Sequence, residues 1–564
     1  MLFYDFEVFK YDWLVVILDS NNKKEHVIVN DRDALIKFYE KNIHEIWVGF
    51  NSRHYDQYIL KAILCGFDPK EINDFIIVER KDGWQFNSLL NKCPINNYDV
   101  MPNPPIGLKT LEGFMGNSIK ESGVPFNIDR KLTDDEIAET VKYCRHDVEQ
   151  TLAVFRQRSS AFKSSMELIK LFELQLNCIG KTEAQLTAEI LQCSKRDWDD
   201  EWELFIFDTI DLGKYAYIGE WFMDKKNHNY TTSLVADICG VTHTFGWGGL
   251  HGAVPKYHHK GLILHVDVNS YYPSILIVYD LISRASNDPK RYVDIYHKRM
   301  QLKKLGKKKE QEPYKKVLNA ASGAMKAKFN KMYDPRNNNL MCINGQLMLL
   351  DLIDKLEGHC ELIQSNTDGL IITIPDTDAA FETIDDICYE WESRTHMGLK
   401  LDVIEEIWQK DVNGYLWVDE KGNVERIGSY LKPLSRIDYD LPILNKALVE
   451  YMVHGVDIEQ TVNSCNDLID FQKIVKLSDK YLFVSHNDIT YTNKSYRVFA
   501  SNRNMDGKIY KCKSPEKKDK FANTPNNCFI YNDDVNGLKV PRELDKEWYI
   551  AFAKKRLRDF GVTV

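Results

Sequence analysis

Hydrophobic and polar positions along the chain change period repeatedly, and each change marks an element. Met1–Glu7 and Trp13–Leu18 are apolar runs of strand length, Asp33–Lys41 has helical periodicity, and Ile46–Phe50 returns to a strand. This alternation predicts an α/β layer with a mixed sheet over the first part of the chain. Leu262–Val266 is a short run of the kind that forms a buried strand. Asp267 then falls at the strand's end, and Pro273, with its fixed φ and no N–H, suits the start of a helix. Residues 285–330 predict two helices joined by a lysine-rich turn. Two apolar runs within Glu361–Ile374 flank Asn366-Thr367-Asp368-Gly369, a hairpin pattern. A helix over Asp378–Glu392, strands at Leu399–Gln409 and Tyr415–Val418, and a turn at Asp419–Asn423 follow.

At 564 residues the chain is too long for one core, and three to five domains or subdomains are expected. No apolar run is long enough to span a bilayer, and the acidic residues Asp5, Glu7 and Asp12 are unlike a signal peptide. Twelve cysteines without any Cys-x-x-Cys spacing argue against a zinc or iron–sulfur site and for free thiols in a reducing compartment. A net charge of −9 excludes indiscriminate coating of nucleic acid, but phosphate attraction depends on local charge. Basic residues cluster from Lys298 to Lys331 and from Lys508 to Lys520.

Several polar residues fall where chemistry is possible. Asp5 and Glu7 are two apart on a strand and share a face, while Tyr143 and Asp147 are four apart on a helix and do the same. Asn51-Ser-Arg-His-Tyr-Asp56 lies between these pairs. Four carboxylates drawn together would repel unless cations lay among them, as in a two-metal phosphodiesterase. Taken singly, each is an ordinary strand or helix-surface residue. Asp267 opens Asp-Val-Asn-Ser-Tyr-Tyr-Pro-Ser274, and alone it reads as a carboxylate capping a strand–helix junction. Arg299 and Lys303 share a helical face, and Lys315, Asn319, Ser322 and Lys326 form a polar stripe on the next helix. Such a stripe suits a triphosphate and equally a solvated amphipathic helix.

Together, and in this order, these segments resemble six motifs of family B DNA polymerases. Asp5-Phe-Glu7, Asn51 to Asp56, and Tyr143 to Asp147 resemble Exo I, Exo II and Exo III. The octapeptide at 267 resembles motif A, with Tyr271 replacing the usual Leu; Lys315-x-x-x-Asn319-Ala-Ala-Ser-Gly323 resembles motif B, with Ala320 for Ser and Ser322 for Tyr. Asn366-Thr-Asp368 resembles motif C with its first carboxylate replaced by an amide. Phe245-Gly-Trp-Gly-Gly249 is a partial match to the Tyr-x-Gly-Gly linker, and Lys410 to Tyr415 stands where the family has Lys-x-Tyr.

The resemblance implies an α/β and α+β multidomain fold: an RNase H-like exonuclease domain followed by a right-hand polymerase. The expected bounds are 1–175 for the exonuclease, 176–284 for the linker and first part of the palm, 285–330 for the fingers, 331–436 for the second part of the palm, and 437–564 for the thumb. It implies DNA-directed DNA synthesis with 3′–5′ proofreading, using Mg²⁺, two ions in each site, with Mn²⁺ as a substitute. Asp5, Glu7, Asp56 and Asp147 would hold one pair, with Tyr143 orienting water; Asp267, Val268 and Asp368 would hold the other, roughly 3.5–4 Å apart. Tyr272 would pack under the sugar and reject a 2′-hydroxyl. Arg299, Lys303, Lys315 and Asn319 would bind the dNTP, and Asn51, Lys410 and Tyr415 the DNA. Exo I begins at residue 5, which resembles compact phage and plasmid members, and the short spacing from Asp267 to Lys315 argues against protein priming. Primer-template DNA, dNTPs and phage replication proteins (a helicase and a single-strand-binding protein) are the implied partners of a monomer in the bacterial cytoplasm, with no membrane. Two other readings stay open: an exonuclease with a degenerate polymerase half, and a non-catalytic DNA-binding scaffold.

Overall fold

Strand β1 (Leu2–Val8) sets the architecture of the N-terminal sheet. Its even positions Tyr4, Phe6 and Val8 join Trp13, Val15, Ile17 and Trp47 in one apolar core. A period of two then turns Phe3, Asp5 and Glu7 to the opposite face. With β2 (Trp13–Asp19), β3 (Glu25–Val29), β4 (Ile46–Gly49) and β5 (Asn96–Asp99) the sheet order is β3-β2-β1-β4-β5. β1 runs antiparallel to β2 and parallel to β4, the mixed sheet that the sequence predicts. The helix Asp134–Gln157 lies against β1, and Phe155 meets Phe3 edge-on with ring centroids 5.3 Å apart. Thr133 and Glu136 close a capping box at the start of that helix.

The computed structural model describes residues 1–563 and divides into two compact units. The first joins Met1–Gly180 to Leu434–Ile443 and Val462–Ile550. Residues 437–564, expected together, are thus shared between the units. Arg497 is one physical reason. Its guanidinium is fully buried and donates to the Asn117 carbonyl at 2.7 Å, the Gly113 carbonyl at 3.2 Å and the Asp533 carbonyl at 2.6 Å. Those bonds tie a late strand, Ser495–Ala500, to the helix Leu108–Met115 and the residues just after it.

The second unit comprises Lys181–Pro433, Leu444–Thr461 and the residues from Ala551. Its sheet contains β6 (Leu234–Ile238), β7 (Val241–Phe245), β8 (His251–Ala253), β9 (Tyr257–Val268), β10 (Glu361–Asn366), β11 (Gly369–Thr373), β12 (Leu399–Asp411), β13 (Gly414–Asp419) and β14 (Val424–Ile427). They run in the order β14-β13-β12-β9-β11-β10-β8-β7-β6. β9 is central and longer than its apolar run, because β12 pairs with it from Gln409↔Tyr257 to Leu399↔Val268. The predicted helices occur as Tyr271–Val278, Pro289–Lys304, Lys308–Lys326 and Asp378–Thr395.

A further helix, Pro335–Leu356, is buried along almost its whole length despite carrying Asn337, Asn338, Asn339 and Asn344. These amides are used: Asn344 accepts from the Phe207 N–H at 2.9 Å and donates to the Phe205 carbonyl at 3.0 Å. Satisfied buried amides fix the helix where its local propensity is poor. Among the described residues, no helix is long and apolar enough to cross a membrane. All twelve cysteines are free.

Candidate functional site

In the first unit, β1 and the helix Asp134–Gln157 bring acidic residues together from distant parts of the sequence. Ligand atoms of Asp5, Glu7 and Cys144 lie within 4.8 Å of one another, as do those of Glu112, His146 and Asp147. Asp56 opens the helix Asp56–Cys65 and is almost fully buried, its Oδ1 accepting the Phe6 N–H at 3.1 Å. The loop before it is braced by Asp99, which accepts the N–H groups of Asn51 at 2.9 Å and Arg53 at 3.0 Å. Asn51 adopts a left-handed φ of 57°, which turns the chain sharply after β4.

The electrostatics agree with this crowding. Burial first, then the charges of Asp56, Glu7 and Asp147, push the Asp5 carboxyl well above the usual range. Glu7 is raised by burial and then by Asp147 and Asp56. Asp56 is pushed up to about 7, chiefly by burial. Asp147 is also raised by burial, with Lys109 pulling the other way. Burial and the neighbouring carboxylates raise the Tyr143 hydroxyl, which bonds to Asp147. All four expected carboxylates and Tyr143 therefore share one neighbourhood.

In the second unit, Asp267 is the penultimate residue of β9 and stands opposite Gly369 of β11 and Lys400 of β12. Asp368 occupies the turn between β10 and β11, and its carbonyl accepts the Val268 N–H at 2.8 Å. Thr367 has φ 37°, and its N–H bonds to the Leu250 carbonyl at 2.8 Å. The glycine-rich stretch before β8 is what allows this approach. A Cβ on Gly249 would stand 2.5 Å from Thr367 Oγ1.

A cavity of about 440 Å³ opens beside these residues. Asp267, Val268, Asp368 and Tyr272 line one part; Arg299, Lys303, Lys315 and Asn319 line another, with Ser322 beside them. Arg299 is buried, donating to Ser270 Oγ at 2.7 Å and Gln311 Oε1 at 3.1 Å. Lys303 donates to Asn269 Oδ1 at 3.2 Å. Burial raises both acids; Lys303 and Lys400 oppose the rise at Asp267, whereas Asp267 adds to it at Asp368.

No family model and no curated protein matches the chain. Among solved structures, the chain is similar to the family B DNA polymerase of the hyperthermophilic archaeon Pyrobaculum calidifontis. The identity is 12% and the TM-score 0.42, over 100% of this chain and 78% of that one.

Asn366 lies apart from the cavity lining among the described residues. Its Oδ1 accepts from Thr367 Oγ1 at 3.4 Å, and its amide contacts Tyr415, which also reaches Gln364. Tyr415 is therefore at the hairpin. Lys410 is elsewhere, its ammonium 2.8 Å from Asp411 and 5.2 Å from the centre of the Tyr430 ring. The two residues expected to act as one DNA-binding pair point to different neighbours. Because Asn366 faces Tyr415, Asn366→Asp is expected to change primer extension by less than about threefold in Mg²⁺, measured as single-nucleotide incorporation beside wild type.

Sequence reasoning did not find Asp99, Lys109, Glu112, Cys144 or His146. Cys144 and His146 sit inside the Tyr143–Asp147 segment, where the helical period alone places them near β1 or its edge. Asp99 ends an apolar strand, as Asp267 nearly does, and that shared pattern was available. The oxygen-rich donor sets of both clusters fit hard divalent cations, whose charge would offset the repulsion that lifts these carboxyl groups.

Proposed function

We propose that the chain is a DNA-directed DNA polymerase with a 3′–5′ proofreading exonuclease. The observation that carries this reading is the cavity in which Asp267 and Asp368 face Arg299, Lys303, Lys315 and Asn319. A structural ion network would spend its cations on carboxylates. Here Arg299 and Lys303 hydrogen-bond to the neutral oxygens of Ser270, Gln311 and Asn269, so their charge is available to a polyanion. The acidic cluster around Asp5, Glu7, Asp56 and Asp147 supports the second activity.

Asp267, Val268 and Asp368 would hold divalent ions in the cavity, and Asp5, Glu7, Asp56 and Asp147 in the acidic cluster. When bound, such ions neutralise phosphate charge and acidify the attacking oxygen. The remaining work belongs to the side chains. Arg299, Lys303 and Lys315 bind and orient the triphosphate, and Asn319 fixes its position along the helix. Tyr272 lies at the cavity wall against Gly345, where an added Cβ would be 3.4 Å from its ring. That backing holds the ring under the incoming sugar and excludes a 2′-hydroxyl. In the acidic cluster Tyr143, bonded to Asp147, orients the attacking water.

The test is extension of a primed template with dNTPs and Mg²⁺, beside Asp368→Ala. Failure of the wild-type chain to extend, with single strands still digested, would leave an exonuclease alone. Tyr272→Ala is expected to raise ribonucleotide incorporation relative to deoxyribonucleotide by about a hundredfold, the size of a lost steric discrimination. Single-turnover incorporation of matched dNTP and rNTP pairs measures it.

A further inference from the structure

Lys109 and Glu112 are three apart on the helix Leu108–Met115 and share a face. The Glu112 side chain is completely buried, and its Oε1 is 3.1 Å from Lys109 Nζ. Its Oε2 accepts the Lys120 N–H at 3.2 Å and lies 3.5 Å from His146 Nε2. The same Lys109 ammonium forms an ion pair with Asp147 and lies 4.7 Å from the centre of the Tyr143 ring. It is thus wedged into the acidic cluster, held from behind by a carboxylate that takes no part in the expected ligand set. A wholly buried carboxylate is costly unless paired, so Glu112 and Lys109 hold each other in the charged form. The three ligand atoms of Glu112, His146 and Asp147 nonetheless stand as close together as those of Asp5, Glu7 and Cys144.

We propose that Lys109, anchored by Glu112, is a positioning residue that clamps the Asp147 carboxylate and takes the place of a divalent cation at Glu112, His146 and Asp147. This rests on the exonuclease reading of the cluster. One divalent ion then binds at Asp5, Glu7 and Asp56 without hindrance. A second must break the Lys109–Asp147 pair, and its affinity is set by that competition. The lysine also keeps Asp147 oriented when no ion is bound.

The experiment counts Mn²⁺ bound by the full chain, at fixed pH, from the electron paramagnetic resonance of the free ion. Asp267→Asn with Asp368→Asn is the background, which removes the cavity's contribution. The expected result is one tight and one weak site. Lys109→Met tightens the weak site by about tenfold or more, and Lys109→Arg keeps the parent's affinities. An unchanged or weakened second site in Lys109→Met overturns the proposal. Lys109→Gln gives the same comparison should the methionine variant not fold. Loss of fold in both neutral variants, with Lys109→Arg folded, makes the lysine structural and also overturns it. Undiminished Mn²⁺ binding after Asp5→Asn with Asp56→Asn in this background defeats the exonuclease reading itself, whatever Lys109 does.

Discussion

Asp368→Ala is expected to abolish primer extension, by about 10³-fold or more, while single-strand digestion continues at the wild-type rate. The size follows from how few acidic groups the cavity offers. Asp267 and Asp368 are the two carboxylates among its lining residues, and Asn366, which could have shared the load, faces Tyr415. Removing Asp368 leaves one carboxylate opposite Arg299, Lys303 and Lys315, too little negative charge to hold divalent ions against three cations. Loss of electrostatic stabilisation at such a site costs about 10²–10³ even for one hydrogen-bond donor. The substitution is also tolerable structurally, because what binds β9 is the Asp368 carbonyl, not its side chain. A stopped assay of primer extension beside digestion of an unpaired oligonucleotide checks both halves. Residual extension within tenfold of wild type would place the chemistry elsewhere. Parallel loss of digestion would point to a folding defect instead.

How much of this was legible in the sequence differs between the sites. Around Asp267, strand, turn and helix follow each other within a dozen residues, so local rules sufficed to put the carboxylate at a rim. Arg299 and Lys303, and Lys315 and Asn319, were legible as two faces because helical period is local. What could not be read is which way those faces turn. That depends on β9 pairing with β11 and β12, contacts more than a hundred residues apart in sequence. Asn366 shows the limit most sharply. Its position in the hairpin followed from Asp-Gly, but its orientation is decided by Tyr415, two strands beyond β9. The helix Pro335–Leu356 was missed because its asparagines have low helical propensity, and its stability comes from partners such as Phe205 and Phe207 that no window contains. Lys109 and Glu112 look like an ordinary i, i+3 surface pair. Only burial against Asp147 makes them part of the acidic cluster.

Asp5→Asn with Asp56→Asn is expected to eliminate digestion while making the metal-free protein more stable, a combination a merely structural cluster would not give. The carboxyl of Asp56 is raised to about 7 by burial. The unfolded chain ionises this group near its ordinary value, so between about pH 4 and pH 7 the folded state binds more protons than the unfolded state. Stability of the metal-free protein therefore falls as pH rises through that window and levels off above it. The penalty above pH 7 is on the order of 4 kcal/mol for Asp56 alone, and Asp5, raised by burial and by Asp56, adds in the same direction. Asparagine at position 56 keeps an oxygen for the Phe6 N–H but carries no charge. The melting temperature of the double variant should thus exceed wild type by several degrees at pH 8 and by less at pH 5. Mg²⁺ should raise the wild type toward the variant and leave the variant almost unmoved, since the ion offsets the repulsion that the substitutions delete. Melting curves at both pH values, with and without Mg²⁺, decide it: a variant less stable than wild type at pH 8 would mean these carboxylates are paired by the protein itself and do not wait for a cation.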